Sequence, residues 1–144
     1  MRYLVDTNVI SEFRKMRSGR ANENVVRYFS HIQPSNIYMS VITFYEFEKG
    51  IKQMELRDQD QGEILRNWME NHVIKYWGAN ILPIDVNVAR ICAGLHVPNP
   101  KSLSDSFIAS TAIVHGLALV TRNVKDFEKI DIEVINPFLP GAVA

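Results

Sequence analysis

The sequence predicts an α/β domain, a central twisted parallel β-sheet of four to five strands with helices on both faces. Three observations lead there. Five short apolar runs recur along the chain: "YLV" (Tyr3 to Val5), "NIYMSV" (Asn36 to Val41), "NILPI" (Asn80 to Ile84), "LALVT" (Leu117 to Thr121) and "IEVI" (Ile132 to Ile135). The stretches between them have helical periodicity, and strands alternating with helices are βαβ units whose strands pair in parallel and are covered on both faces. No repeat, low-complexity tract or linker rich in Gly, Ser or Pro interrupts the alternation, so residues 1–144 read as one domain.

Each element has a local reason. The first strand stops on Asp6, and "DTN" (Asp6 to Asn8) is good capping chemistry for a helix that begins near Val9. In "GEILRNWMENHVIKYWG", Leu65, Trp68, Met69, His72 and Tyr76 fall three or four residues apart, an apolar stripe that ends at Gly78. "SLSDSFIASTAIVHG" opens on Ser and Asp, carries Phe107, Ile108, Thr111 and Ala112 on one side, and closes on Gly116. Pro98 and Pro100 end the helix before it.

Composition excludes several classes. With 47% hydrophobic residues, the chain has enough apolar side chain for a proper core. Its apolar runs are too short to span a bilayer, and Met1-Arg2 leads straight into a strand without a signal-peptide pattern, so a cytoplasmic protein is expected. The single Cys92 excludes an internal disulfide, and four scattered His provide no zinc spacing, which makes Cys92 a core residue. Net charge is zero, so only local charge would attract nucleic acid. The one basic cluster, "RKMRSGR", contains Arg14, Lys15, Arg17 and Arg20. It is either solvated surface or a path for a phosphate chain approaching Asp6.

Ligands of an open parallel sheet bind outside the carboxyl ends of its strands, near the point where strand order reverses. Asp6 ends the first strand, Glu46 follows the second, Asp105 begins the helix that feeds "LALVT", and Asn123 and Asp126 follow that strand. Each has a plainer explanation: Asp105 can serve the helix dipole, and Glu46 can be an exposed helix acid like Glu48. Glu46 and Glu48 lie about 200° apart on a helix, so at most one faces the rim. As a set they say more. Two carboxylates about 4 Å apart repel by roughly 4 kcal/mol at an effective dielectric of 20, so such a cluster calls for a divalent cation. Mg²⁺ takes oxygen ligands of this kind and keeps water and substrate phosphate in its other positions.

"LVDTNVISE", "SVITFYEFEKG", "DSFIASTA" and "LVTRNVKDF" followed by "INPF" occur in order from Met1 to about Phe138, and together they resemble the PIN-domain ribonucleases. Within these, the chain looks most like the VapC-type toxins of toxin–antitoxin pairs, including the FitB-like branch. The resemblance implies a PIN-like fold and a Mg²⁺- or Mn²⁺-dependent endoribonuclease. It also implies a homodimer, silenced by a small antitoxin that binds operator DNA. Asp6, Glu46 and Asp105 fall on three of the family's metal-binding acids. Thr7, Asn8, Thr43 and Thr121 would hold those carboxylates in orientation. The chain departs from the pattern at Asn123, where many PIN domains have Asp. Asp126 follows three residues later, and the resemblance favours Asn123 as the inner residue with Asp126 in support.

The reading is phosphodiester hydrolysis in RNA, with the metal supplying a water of lowered pKa. No Ser-His-Asp or Cys-His set is evident in the sequence. Arg14, Lys15, Arg17 and Arg122 are the candidate phosphate contacts. The apolar surplus in "FYEF" and around Trp68 and Trp77 suggests a dimer surface and a groove for an antitoxin peptide. Two rivals stand beside this reading. One is an Asp6-nucleophile phosphatase, which would need a second acid where Asn8 stands. The other is a catalytically inactive binding module, which Asn123 would favour.

Overall fold

A computed structural model describes residues 1–142. Five parallel strands form one sheet: β1 (Tyr3–Val5), β2 (Ile37–Ser40), β3 (Ile81–Leu82), β4 (Ala118–Val120) and β5 (Val134–Ile135), in the order β3-β2-β1-β4-β5. The register aligns Leu4 with Tyr38 on one side and with Leu119 on the other. From β1 the chain builds outward to β3, then returns to the opposite flank of β1 with β4. Strand order therefore reverses between β1 and β4, and the crevice of an open α/β sheet opens at their carboxyl ends.

The strands are shorter than the apolar runs that announce them. Ser40 caps α3 (Val41–Arg57) by accepting from the Ile42 amide at 3.0 Å, which ends β2 one residue early. Pro83 cannot donate to a ladder, and β3 stops before it. The alternation along each strand splits the core across the sheet. Tyr3, Val5, Ala118 and Val120 pack on one face with Val9, Ile10, Val25, Met39 and Met69; Leu4 and Leu119 pack on the other with Ile108, Ala109, Ala112 and Phe127. The first face is covered by α1 (Thr7–Lys15), α2 (Glu23–Phe29) and α3, and the second by α7 (Leu103–His115), preceded in the chain by α6 (Val86–Leu95). Cys92 is buried, as expected.

The stripe on the long middle segment differs from its expected register. Here α4 (Gln59–Trp68) runs into a π-helical stretch, Met69–Ile74, before the short α5 (Lys75–Trp77). A π turn holds more residues than an α turn, so the inward face moves on by about one residue. Val73 and Trp77 pack inward, while His72 is only half-buried and Tyr76 is 71% exposed. Gly62 allows α4 to lie close to α3: a Cβ there would stand 2.6 Å from the Glu55 Cα. The same hairpin corrects Glu48, which is not a free surface acid. Arg66 on α4 binds Glu48 at 2.6 Å and Glu55 at 3.0 Å. Among the described residues, no helix is long and apolar enough to cross a membrane.

Candidate active site

Asp6 leaves β1 at the point where strand order reverses, and it is 7% exposed. Its capping explanation is correct as far as it goes: Oδ1 accepts from the Thr7 amide at 2.8 Å, and the helix begins there rather than at Val9. Its other oxygen does something a cap does not need. Oδ2 accepts from the Thr121 hydroxyl at 2.8 Å and lies 3.4 Å from the Asn8 amide nitrogen. Thr121, wholly buried at the end of β4, also accepts from Asn8 Nδ2 and from the Asn123 backbone amide. Asn8 Oδ1 accepts from the Arg122 amide at 3.0 Å. One carboxylate is thus fixed across two strand ends by neutral donors, with no cation paired to it among the described residues.

Three more carboxylates lie along the same rim. Glu46, on the first half of α3, accepts from the Thr7 hydroxyl at 3.3 Å. The residue as a whole is exposed, yet its carboxyl end is partly desolvated, and that, followed by the charge of Asp6 and then of Asp105, raises its pKa. The Thr7 hydrogen bond and Lys49 act the other way. Asp105 sits in the first turn of α7, where Ser102 caps the helix. Partial burial, then the charges of Asp126 and Asp6, raise its pKa as well. Asp6, Glu46 and Asp105 thus lie within electrostatic reach of one another, and Asp126 within reach of Asp105, although they come from four separate segments.

Of the expected supporting residues, Thr7, Asn8 and Thr121 touch these carboxylates. Thr43 does not: it is buried one turn before Glu46, and its hydroxyl has no hydrogen-bond partner. Asn123 and Asp126 are both exposed; Asn123 meets the cluster through its backbone amide, on Thr121, and the charge of Asp126 is among the causes that raise the pKa of Asp105. Asp105 and Asp126 also line a recess of about 200 Å³ with Lys101, Lys125 and Lys129, which the sequence reading passed over. These lysines are scattered in sequence, and only the approach of α7 to the turn after β4 brings them together.

The basic candidates are unequal. Lys15 is bound to Glu12 at 2.9 Å; Glu12 is 8% exposed and also accepts from the Asn22 amide. These bonds outweigh its desolvation and lower its pKa. Arg17 meets the His72 ring at 3.1 Å, and Arg122 lies 3.8 Å over the Phe138 ring, a cation–π contact. Arg14 is exposed and forms no ion pair among the described residues.

Among the described residues, no three His, Cys, Asp or Glu side chains converge closely enough to cage a cation by themselves. Mg²⁺ does not require such a cage, since it commonly uses one or two carboxylates and retains several waters. An all-oxygen donor set under mutual repulsion fits Mg²⁺ or Mn²⁺, and the absence of sulfur and imidazole argues against zinc.

Comparison with known proteins decides the family. The PIN domain model matches residues 3–133. The chain belongs to the PIN-domain family. It is 31% identical over 143 residues to VapC ribonuclease Y4jK of Sinorhizobium fredii, covering 96% of this chain and 99% of that one. It is likewise 31% identical over 140 residues to toxin FitB of Neisseria gonorrhoeae, covering 94% and 97%. The crystal structure of FitAcB from Neisseria gonorrhoeae superposes with a TM-score of 0.83 at 30% identity, covering 94% of this PIN domain and 98% of that chain. Among PIN domains, then, this one falls with the VapC and FitB toxins.

Proposed function

We propose that this PIN domain is a Mg²⁺- or Mn²⁺-dependent endoribonuclease, the toxin of a toxin–antitoxin pair, acting in the cytoplasm. One observation carries the reading: at the strand-order reversal a nearly enclosed Asp6 is held by Thr7 and Thr121, Thr7 also donates to Glu46, and neither carboxylate, nor Asp105 on the same rim, is in an ion pair among the described residues. Repulsion between such carboxylates costs stability in the free protein and is relieved by a cation, so it has the character of a site kept for function. When bound, the cation supplies a water of lowered pKa and positive charge against the phosphate. Asp6, held by Thr121 and Thr7, is the fixed ligand; Glu46 and Asp105 complete the set, and Asp126 supplies the fourth carboxylate in place of Asn123. Arg14 on one flank and Lys101, Lys125 and Lys129 on the other hold the RNA phosphates.

The names of the relatives support a ribonuclease and toxin role. A similar solved chain from a toxin–antitoxin complex of Klebsiella pneumoniae supports an antitoxin partner, and the structure of FitAB bound to a DNA fragment supports a larger complex on DNA, which this reading takes to be the operator. The reading assigns the antitoxin chain to a groove of about 530 Å³, and its basic and aromatic lining, Arg14, Arg17, Arg20, Trp68, His72 and Trp77, supports that assignment. Homodimerisation rests on the family resemblance: of the aromatic surplus expected to form the dimer surface, Phe44, Phe47, Trp68 and Trp77 pack against the core and Tyr45 alone is exposed. The partner-free protein is expected to cleave RNA with Mg²⁺ or Mn²⁺ and to stop in EDTA. Failure on tRNA, rRNA and mRNA pools in both metals would favour the inactive binding module.

A further inference from the structure

Beside Glu46 lies a recess of about 230 Å³ whose walls come from three helices: Ser11 and Arg14 of α1, Glu46, Phe47 and Gly50 of α3, and Trp68 of α4. Phe47 and Trp68 meet edge to face, with ring centroids 5.2 Å apart. Gly50 is the anomaly. It occupies the middle of α3, where glycine weakens a helix, and neither backbone nor packing requires it. It has no positive φ, and a Cβ there would meet nothing within 4 Å. Gly62 of the same hairpin is the contrast, since Glu55 leaves it no room for a side chain. Gly50 lines the recess one helical turn beyond Glu46, on the same face of α3, with open space where a side chain would stand.

We propose that this recess receives the nucleobase flanking the scissile phosphate and sets the base preference of cleavage. The inference rests on the ribonuclease reading and assigns a subsite within it. Three features favour a nucleotide. The recess shares Glu46 with the carboxylate cluster, so its occupant lies beside the reacting phosphate. Phe47 and Trp68 give its wall an aromatic, apolar lining of the kind that receives single-stranded bases. Arg14 stands in its wall without an ion-pair partner among the described residues, free to meet a phosphate or a base edge. Ser11 donates its hydroxyl to the Thr7 carbonyl at 3.0 Å, which leaves its oxygen to accept from a base.

The test is cleavage of a randomised oligoribonucleotide pool with Mg²⁺ by wild type, Gly50→Ala and Gly50→Leu, read by sequencing the product ends, together with thermal melts and titration of the cognate antitoxin. Gly50→Ala should melt a few degrees higher, because alanine favours the helix. It should also lose about tenfold in kcat/KM, mostly through KM, and its base preference beside the cut should weaken or change. Gly50→Leu should lose more. If Gly50→Ala cleaves with wild-type efficiency and preference, the subsite is wrong while the ribonuclease reading stands. The same holds if only antitoxin inhibition weakens, which would assign the recess to the protein partner. A lower melting temperature for Gly50→Ala would make the glycine structural and overturn the argument. If wild type cleaves nothing in the pool, the ribonuclease reading falls and the subsite with it.

Discussion

The two ends of the carboxylate rim are built on opposite principles. At the β1 end, Asp6 is nearly enclosed and fully engaged, bonded to the Thr7 amide and the Thr121 hydroxyl, so its position is set by the folded sheet. At the α7 end, Asp105 faces Asp126 across a recess with lysines around it, and what its carboxylate mainly feels is desolvation and like charge. Geometry is therefore invested in one carboxylate and electrostatic tension in the other. The site thus pairs a carboxylate held by hydrogen bonds with one under like charge, and in the metal-dependent reading these are the anchor and the partner of a cation that brings much of its own water.

The largest expected effect separates these roles by stability, since activity alone will not. Asp6→Ala and Asp105→Asn should each lower RNA cleavage by more than about 100-fold, the upper end of what loss of a residue that merely supports a metal ligand costs. Their melts should diverge. Asp6→Ala loses a helix cap and leaves the buried Thr121 hydroxyl proton without an acceptor, at a cost of about 2 kcal/mol or roughly 4–8 °C. Asp105→Asn should raise the melting temperature at pH 7. The folded pKa of Asp105 is raised, so its ionised form opposes folding above that pKa. The gain should fade as pH falls through the raised value and vanish once both folded and unfolded carboxyls are protonated. If the two variants melt alike at pH 7, the contrast between anchor and partner is wrong.

A smaller difference is expected between Asp126 and Asn123. Asp126→Asn should reduce cleavage by tens of fold and weaken Mn²⁺ binding by calorimetry, because its charge reaches Asp105. Asn123→Ala leaves its contact to Thr121 intact, since that contact uses the backbone amide, and should cost only a few fold. The opposite order would restore Asn123 as the inner residue, as the family pattern suggests.

The smallest effect concerns the lysines. Replacing Lys101, Lys125 and Lys129 together by Ala should raise KM several fold and flatten the dependence of RNA binding on salt by up to about two units of slope, reckoned at roughly 0.7 per single-strand phosphate contact. An unchanged slope would leave Arg14 and its neighbours as the main phosphate path.

Strand number, parallel pairing and the strand-end position of Asp6 were legible in the sequence, because apolar runs and turn residues are local signals. The stripe on the middle helix was legible only as far as Met69. Beyond it a π turn changes the period, and nothing in the spacing of His72 and Tyr76 announces that. Glu48 was misplaced for a similar reason, since its partner Arg66 lies on the next helix and their meeting depends on how closely Gly62 lets the two helices pack.

By itself, then, the sequence determined the alternating α/β order, the residue types at the strand ends and the family pattern that singles out Asp6, Glu46 and Asp105. Tertiary structure alone decided which charges feel one another: that the charge of Asp126 reaches Asp105, that Lys15 and Arg17 are already engaged, and that three distant lysines flank the acids. The physical reason is range. Helix periods and caps act over three or four residues, whereas coupling between carboxylates depends on distances of a few ångströms between segments about a hundred residues apart, and those distances exist only once the sheet has closed around β1.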